Sequence, residues 1–471
     1  MKTKHYYKVI VILCVLLLTF QLSCKKYLDQ KPDLTKAVPE TLADCQVLLD
    51  DYNTMNTSYP DHGEVAADNF YLTDATWAGL GYSNPEEKDN YIWSPQGQHT
   101  KQWLNCYKVV YNSNLVLQVL EKFSANNENY NTLKGSALFF RGFAFYQVAQ
   151  LFAKDYLASS AETDLGIPLR LSPDLDVKSE RTTVKQTYHQ IIKDFTEAID
   201  LLPIKTNIPS RPSKAAAYAA LARTYLTMGD YSNAHKMATE CLKLHNTLIN
   251  YNESTSVPTK TTISPDNYGG AFLRFNAEVI FQATSTPGIL NEFQAVVDQD
   301  LYDSYKASDK RKIIFFREGM DSWTGMGTGT FIFKGSYDGD TYGSLFIGLA
   351  TDEIYLIRAE ASTRTGNTSA AMMDLNTLLR KRYDATFVDR TATDAFNALE
   401  QILDERRKEL VFRGGRWTDL KRLNRDSRFA VTLRRTKNTI SYSPLLPHDL
   451  RYIMLIPQQV VNTTGMQQNP R

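Results

Sequence analysis

The sequence has no excess charge of either sign, since its 471 residues carry 53 Lys and Arg against 52 Asp and Glu, for a formal net charge of +1. Binding to nucleic acid requires a concentrated surplus of basic residues, so we expect no nucleic-acid partner. Cysteine is scarce: there are five in all, widely spaced and without a C-x-x-C pair. Neither a disulfide framework nor a structural zinc site is therefore predicted.

The sequence also lacks the motifs of common catalytic sites. It contains no G-x-S-x-G elbow, no H-E-x-x-H pair and no phosphate-binding G-x-x-x-x-G-K-[ST] loop. The run Asp338-Gly339-Asp340 is not followed by the Glu that completes a calcium loop, so a plain turn is favoured. We predict a protein that is not an enzyme and that uses no cofactor and no metal. A pair of carboxylates of the glycosidase type remains an open alternative, because scattered Asp and Glu leave no sequence signature.

The N-terminus has the pattern of a signal peptide over residues 1–23. Basic residues at positions 2, 4 and 8 precede a 12-residue apolar stretch at 9–20, which is too short to span a bilayer. Ser23-Cys24 then resembles the lipobox of bacterial lipoproteins, which predicts lipidation of Cys24; ordinary secretion with a plain thiol is the alternative. Cleavage removes 23 residues with three lysines and no acids, leaving 448 residues of formal charge −2. No later apolar run reaches 18 residues.

Helical periodicity dominates much of the chain. Small and aromatic residues over 213–245 have the spacing of a tetratricopeptide repeat, with a turn at Gly229-Asp230, and 352–379 repeats the pattern more weakly. The stretch 133–152 is apolar almost all round, which predicts a helix buried between neighbours. It contains Arg141, and a buried arginine requires a carboxylate or carbonyl partner.

Two regions are rich in aromatic residues but show no sustained period, namely 60–103 and 319–346. Long irregular regions in compact proteins are commonly functional. Tyr and Trp rings pack against the C–H faces of sugars, while neighbouring Asp, Asn and Arg bind hydroxyl groups. We therefore predict a ligand site in these loops, with these candidate residues: Asp68, Asn69, Tyr71, Trp77, Tyr82 and Trp323.

The basic stretch 404–435 holds 11 Lys and Arg against 5 Asp and Glu. It could form a phosphate-binding surface, but acidic residues lie at helical spacing within it, so internal ion pairing is the preferred interpretation. Short runs of β-forming residues at 279–281 and 331–333 predict a few strands within an otherwise loop-rich segment.

Several motifs, in order, resemble the SusD/RagB lipoproteins of Bacteroidota outer membranes. They are SCKKYLDQKP at 23–32, RGFAFYQVAQLFA at 141–153, EIYLIRAEA at 353–361, ERRKELVFRGGRWTDLKR at 405–422 and IPQQVVNTTGMQQNP at 456–470. The resemblance covers nearly the whole mature chain.

This resemblance implies a mainly α fold, in which a TPR-like helical-repeat scaffold supports a large loop-rich ligand-binding region with a few short strands. It implies an N-terminal SusD-like region at 24–245, a loop-rich insertion at 246–350 and a C-terminal RagB/SusD region at 351–471.

The function it implies is non-catalytic nutrient uptake: carbohydrate binding at the cell surface and delivery to a SusC-like TonB-dependent transporter, as in polysaccharide utilization. The expected location is the cell outer membrane, held by a lipid anchor and exposed at the cell surface, with retention on the periplasmic side as the alternative. A RagB-like peptide receptor and a TPR assembly lipoprotein without a small ligand are the other functions left open.

Overall fold

The fold is seen in a computed structural model that describes residues 39–57, 59–80, 84–125, 128–253, 271–285, 288–291, 293–319, 325–338 and 344–471. The predicted signal peptide, Cys24, Tyr82 and Trp323 lie outside the described residues. Residues 41–471 form one compact unit.

Helices are the main secondary structure of the described chain, as predicted. They are α1 (Leu42–Leu49), α2 (Tyr52–Met55), α3 (His62–Ala66), α4 (Asp74–Gly79), α5 (Pro85–Tyr91), α6 (Thr100–Leu120), α7 (Glu128–Phe152), α8 (Val184–Leu201), α9 (Lys214–Met228), α10 (Tyr231–Leu244), α11 (Gln299–Ser304), α12 (Arg311–Phe315), α13 (Thr351–Arg364), α14 (Thr368–Leu379), α15 (Ala395–Glu409), α16 (Arg416–Leu423) and α17 (Gln458–Thr464). No helix among these described residues is both long enough and apolar enough to cross a bilayer.

The hairpin predicted from residues 213–245 is confirmed as α9 and α10. Gly229 ends α9 with a φ of 82°, a conformation that side chains disfavour, and Asp230 caps α10 by accepting a hydrogen bond from Asn233 N. Ala222 and Ala234 are fully buried. Small side chains at these positions let the two helices pack closely.

The weaker repeat at 352–379 is confirmed as α13 and α14. Gly366 lies in the turn with a φ of 90°, and Asn367 caps α14 through Ala370 N. Ala359 and Ala371 are fully buried where the two helices pack. The predicted TPR-like scaffold is therefore present in both places.

Helix α7 is buried on nearly all sides, and the predicted partner of Arg141 is Asp194 on α8. Arg141 Nε and Nη2 donate to the two carboxylate oxygens at 2.9 and 2.7 Å, and Nη1 donates to Asn114 Oδ1 at 3.0 Å. Phe139 and Phe143 of α7 both contact Phe281 edge-on. The helix is thus held by rings and by one buried ion pair.

The basic stretch 404–435 forms internal ion pairs, as the sequence indicated. Arg406 Nε donates to Asp419 at 2.8 Å, and Arg422 contacts both Asp419 at 2.7 Å and Glu360 at 2.6 Å. These side chains are almost fully buried. The charges of these residues therefore stabilise the packing of α13, α15 and α16 against one another.

The strands are short: β1 (Phe70–Leu72), β2 (Leu165–Pro168), β3 (Arg181–Thr183), β4 (Val279–Phe281), β5 (Thr284–Ser285), β6 (Ala295–Val297), β7 (Phe316–Glu318), β8 (Phe331–Phe333), β9 (Leu345–Phe346), β10 (Leu349–Ala350), β11 (Thr436–Lys437) and β12 (Ile440–Ser441). The predicted strands at 279–281 and 331–333 are confirmed as β4 and β8. The described strands pair two by two and antiparallel, as β1–β6, β4–β10, β11–β12, β2–β3, β5–β9 and β7–β8.

The region 60–103 is less irregular than predicted, because it contains α3, α4, α5 and β1. These helices have five to seven residues each, too few for a 3.6-residue period to show in the sequence. Two of these helices nevertheless begin at residues typical of a helix N-terminus. Thr73 caps α4 by accepting a hydrogen bond from Thr76 N, and Pro85 occupies the first turn of α5.

Candidate functional site

The two aromatic regions predicted to bind a ligand meet at one surface, formed by β1, β6, β7 and β8. Tyr71 pairs with Val296 across β1 and β6, and Arg317 pairs with Ile332 across β7 and β8. Residues that pair in this way project to the same side of their strands. Tyr71, Val296 and Ile332 also form one apolar cluster with Met326. We call this surface, made of Tyr71, Val296, Arg317, Met326 and Ile332, the Tyr71 face.

Gly325, next to Met326, lies close to Thr73, two residues after Tyr71. A β-carbon placed on Gly325 would lie 3.6 Å from Cβ of Thr73. Gly325 has a φ of 75°, which favours glycine at this position. The close approach of Gly325 to Thr73 joins the 60–103 region to the 319–346 region at the edge of the Tyr71 face.

Tyr71 presents a partly exposed ring above a buried apolar floor, since Val296, Met326 and Ile332 are each about 1 % exposed. Burial raises the pKa of Tyr71, and the Asp298 carboxylate raises it further. The phenol is therefore neutral and able to donate a hydrogen bond at physiological pH. Asp298 therefore lies close enough to the ring to act on it, and its own carboxylate is 3.8 Å from the Arg407 guanidinium.

Asp68 ties the chain just before β1 to α15 and α16. Its Oδ1 accepts from Arg416 Nε at 2.6 Å, and its Oδ2 lies 3.4 Å from Arg407 Nη2. Burial alone would raise the pKa of Asp68, but the guanidinium groups of Arg416 and Arg407 hold it well below its usual range. The carboxylate is thus ionised and its charge is matched within the protein.

Asn69 is also engaged internally. It is 1 % exposed, donates to Glu64 Oε1 at 2.8 Å, and accepts from Arg407 Nε at 3.3 Å. Its backbone carbonyl oxygen accepts from Asp298 N at 2.9 Å, which fixes the start of α11 beside β1.

Trp77 lies in the core behind the Tyr71 face, with 7 % of its surface exposed. Its ring contacts Tyr91 and Tyr442 at centroid distances of 5.9 and 6.0 Å, and Lys88 Nζ lies 4.3 Å above it. An aromatic residue in an irregular region can serve packing as well as ligand binding, and sequence alone does not separate the two.

Of the six ligand-site candidates, the structure brings Asp68, Asn69 and Tyr71 together. Asp68 and Tyr71 are both partly exposed, but the Asp68 carboxylate is already paired with Arg416 and Arg407. Ligand contact stays a prediction for all six, including Tyr82 and Trp323, which lie outside the described residues. Sequence reasoning missed Val296, because β1 pairs with a strand more than 220 residues away, and it also missed Arg317.

Three carboxylates, those of Glu278, Asp352 and Glu409, converge in the interior. Each is bound by an arginine: Arg382 contacts Glu278 at 2.8 Å and Glu409 at 2.7 Å, and Arg413 contacts Asp352 at 3.1 Å. Desolvation and the neighbouring carboxylates raise the pKa of Glu278 to about 7, although Arg382 opposes this. The cluster is a charge-compensated network that joins the 271–285 segment to α13 and α15.

A separate cleft of about 330 Å³ lies between α6, the chain after β2 and the C-terminal α17. Trp103, Tyr107 and Tyr111 line it at four-residue spacing along α6, and the first two rings pack with centroids 4.9 Å apart. It shares no lining residue with the Tyr71 face, and none of the predicted ligand-site residues lies in it.

Two family descriptions match this chain. The family described as "Starch-binding associating with outer membrane" matches residues 26–226, and the SusD family matches residues 317–471. A SusD-like protein P2 of Formosa agariphila is 28 % identical over 136 residues, which are 29 % of this chain and 25 % of that protein. The match thus spans about a quarter of that relative's length.

Solved structures share the fold over almost the whole chain. A SusD superfamily protein of Bacteroides thetaiotaomicron has a TM-score of 0.73 at 23 % identity, covering 92 % of this chain and 100 % of that one. A putative sugar binding protein of Bacteroides vulgatus gives the same values with 99 % of its own chain covered. The surface glycan-binding protein A of Bacteroides uniformis has a TM-score of 0.67 at 17 % identity, covering 91 % and 99 %. At these identities the likeness concerns the fold.

Proposed function

This chain belongs to the SusD/RagB family, and from that premise we propose that it binds oligosaccharides at the outer membrane without cleaving them and delivers them to a SusC-like TonB-dependent transporter. The family descriptions and the names of the structural relatives, which include a surface glycan-binding protein, support this function.

The observation that carries the proposal is the Tyr71 face. It combines a partly exposed phenol ring, a buried apolar floor and a nearby carboxylate, that of Asp298. A sugar has an apolar C–H face and a rim of hydroxyl groups, and this surface offers a partner to each. The strands are held by internal hydrogen bonds and ion pairs, so little order has to be gained on binding.

Membrane attachment through Cys24 is the second part of the proposal. The lipobox-like Ser23-Cys24 sequence supports it, together with the outer-membrane association named in the matching family description. Metabolic labelling with an alkyne fatty acid should mark the full-length protein and should not mark a Cys24→Ala variant. Protease added to intact cells would then distinguish surface display from a periplasmic orientation.

A binding screen tests the ligand class. Isothermal calorimetry with the mature chain, across soluble plant, algal and microbial glycans and a set of random-sequence peptides, should show binding to at least one glycan. Binding to peptides alone would replace the proposal with a peptide-receptor function. Release of reducing ends from a bound glycan would contradict the non-catalytic role.

A further inference from the structure

The cleft of about 330 Å³ along α6 contains a single charged side chain. Arg170, on the chain after β2, is the one charged residue among the described residues that line it. The other described lining residues are aromatic, aliphatic or polar and neutral. We call this space the Arg170 cleft. A ligand that fits it must match one positive charge within largely uncharged walls.

The guanidinium group of Arg170 is partly exposed and is held in place by neutral acceptors. Nη1 donates to the carbonyl oxygen of Val177 and, at 3.2 Å, to Ser179 Oγ, and Nη2 donates to the carbonyl oxygen of Asp174. No described carboxylate pairs with Arg170. Since a guanidinium group has five N–H groups, these three bonds leave two unused, and Nε–H is one of them. Arg170 thus combines a fixed position, an unmatched charge and free donors.

The free Nε–H lies on the edge of the guanidinium group that other arginines of this protein use to bind carboxylates. Arg141 donates from Nε and Nη2 to Asp194 at 2.9 and 2.7 Å, and Arg416 donates from Nε and Nη2 to Asp68 at 2.6 and 2.8 Å. In Arg170 the Nε–H is unused, and Nη2 has used one of its two N–H groups. This edge can therefore donate to a carboxylate that comes from outside the chain.

A second guanidinium group adds positive charge beside the cleft. Arg181 donates to Gly166 O at 2.8 Å and to Asn469 Oδ1 at 2.9 Å, and its other described acceptors are backbone carbonyl oxygens. Both arginines act on Tyr107, which lines the cleft: burial raises the pKa of its phenol well above the usual range, and Arg181 and Arg170 oppose this. An anion in the cleft would thus be attracted by two cations.

The acids that follow Arg170 in the sequence do not neutralise it. The side chains of Asp174 and Asp176 are exposed to water, and neither forms an ion pair with a described residue. Glu180 pairs with Lys178 at 2.8 Å. Because exposed charges are screened by water and salt, the charge of Arg170 stays available to a ligand.

The walls of the cleft are aromatic and aliphatic. The rings of Trp103 and Tyr107 pack with centroids 4.9 Å apart, and Tyr111, about one turn further along α6, is 40 % exposed. Leu175, from the loop that holds Arg170, is 80 % exposed. An aromatic ring bound here would cover apolar surface that is now in contact with water, and contacts between rings are favourable beyond that burial.

The volume of the cleft sets the size of the ligand. A cavity of roughly 150 Å³ holds one benzene ring, so 330 Å³ has room for about one ring with a short acidic side chain. A carboxylate carries one charge and suits a single guanidinium edge. We propose that the Arg170 cleft binds a small aromatic carboxylate, with the carboxylate on Arg170 and the ring against the aromatic residues of α6. This ligand class differs from the oligosaccharides proposed for the Tyr71 face, and the site does not depend on that function.

Isothermal calorimetry with the mature chain tests the proposal, using 3-phenylpropionate, 4-hydroxycinnamate and indole-3-acetate as probes. At least one of these acids should bind. The primary amide of the acid that binds best keeps the ring and removes the charge, and we expect it to bind about tenfold more weakly or worse. Acetate, which has the carboxylate but no ring, should show no binding at the same concentration. Absence of binding by all three acids, or equal binding of acid and amide, would overturn the proposal.

Variants locate the site. Arg170→Gln removes the charge, and we expect it to weaken binding of the acid about tenfold and to remove most of the preference for acid over amide. Leu175→Ser changes a side chain that is 80 % exposed, so it should weaken binding about two- to fivefold without lowering the melting temperature. Arg211→Gln, which removes an exposed guanidinium group paired with Asp50, and Tyr71→Ala should leave binding unchanged. Binding of the acid that is unaffected by both Arg170→Gln and Leu175→Ser, or that Arg211→Gln weakens equally, would contradict the assignment.

Discussion

Arg141 and Asp194 form a buried ion pair in which both carboxylate oxygens accept hydrogen bonds, at 2.9 and 2.7 Å. The pair joins α7 to α8 at the centre of the scaffold. Arg141 is 8 % exposed and Asp194 0 %, so the partner that remains after a mutation is largely shielded from water.

We therefore expect Asp194→Asn to destabilise the protein by about 3–5 kcal/mol, because it leaves the Arg141 charge buried and unmatched. Urea unfolding followed by circular dichroism measures the change. Replacing both partners, as Arg141→Met with Asp194→Leu, should recover most of the loss. Glu180→Gln breaks the exposed Lys178–Glu180 pair and should cause no measurable change. Equal effects of Asp194→Asn and Glu180→Gln would contradict this account.

The adjacent glycines 414 and 415 should respond differently to alanine. Gly414 has a φ of 71°, and a β-carbon there would lie 2.8 Å from Ile347 Cγ2. Gly414→Ala should therefore cost about 2–4 kcal/mol, through backbone strain and overpacking. Gly415 has a φ of −93°, and a β-carbon added there would meet no atom within 4 Å, so Gly415→Ala should stay within about 0.5 kcal/mol of wild type. Thermal unfolding of the two variants, measured in parallel, tests this difference. A similar loss of stability in both variants would contradict it.

Stability should also depend on pH through His62 and His99, whose Nδ1 atoms lie 2.7 Å apart in a buried hydrogen bond. Burial, with a smaller effect of His99 and Lys101, lowers the pKa of His62 well below its usual range. Burial and Arg471 lower the pKa of His99 to about 3. Below a pH of about 6.5 the unfolded chain therefore takes up protons that the folded pair does not accept, and stability falls as pH falls.

Comparison with a His62→Gln/His99→Gln variant isolates this effect. Between about pH 7.5 and pH 5.0 we expect wild type to lose about 2 kcal/mol more per histidine than the variant, measured as the free energy of unfolding in urea. The variant is needed as a reference because burial also raises the pKa of Asp61 to about 7. Asp61 therefore makes both proteins more stable as the pH falls, and the comparison removes this contribution. Identical pH profiles would show that the pair does not remain neutral.

The helical hairpins could be predicted from sequence because their signals are local. Gly229, Asp230 and the buried alanines of α9 and α10 all lie within one short segment, 213–245, and the signals of α13 and α14 lie equally close together. The partner of Arg141 could be predicted as a chemical class but not as Asp194, because the need for a counter-charge does not identify the residue that meets it.

Only part of the candidate site could be predicted from the sequence. Tyr71 was identified by its residue type, but its floor depends on β1 pairing with β6, a contact between distant segments that no local pattern encodes. Trp77 was also selected by its residue type, but the structure places its ring in the core. Short helices such as α3 were missed because five residues hold too little periodicity.

The Tyr71 face is the central claim, and one measurement tests it most directly: the dissociation constant of the best glycan for wild type, Tyr71→Ala and Tyr111→Ala, by isothermal calorimetry. Tyr111 is a matched control, a tyrosine 40 % exposed on α6 in the separate cleft. We expect Tyr71→Ala to weaken binding by about 2 kcal/mol, roughly thirtyfold, and Tyr111→Ala to leave it unchanged. Unchanged affinity in Tyr71→Ala, with the fold intact, would contradict the account.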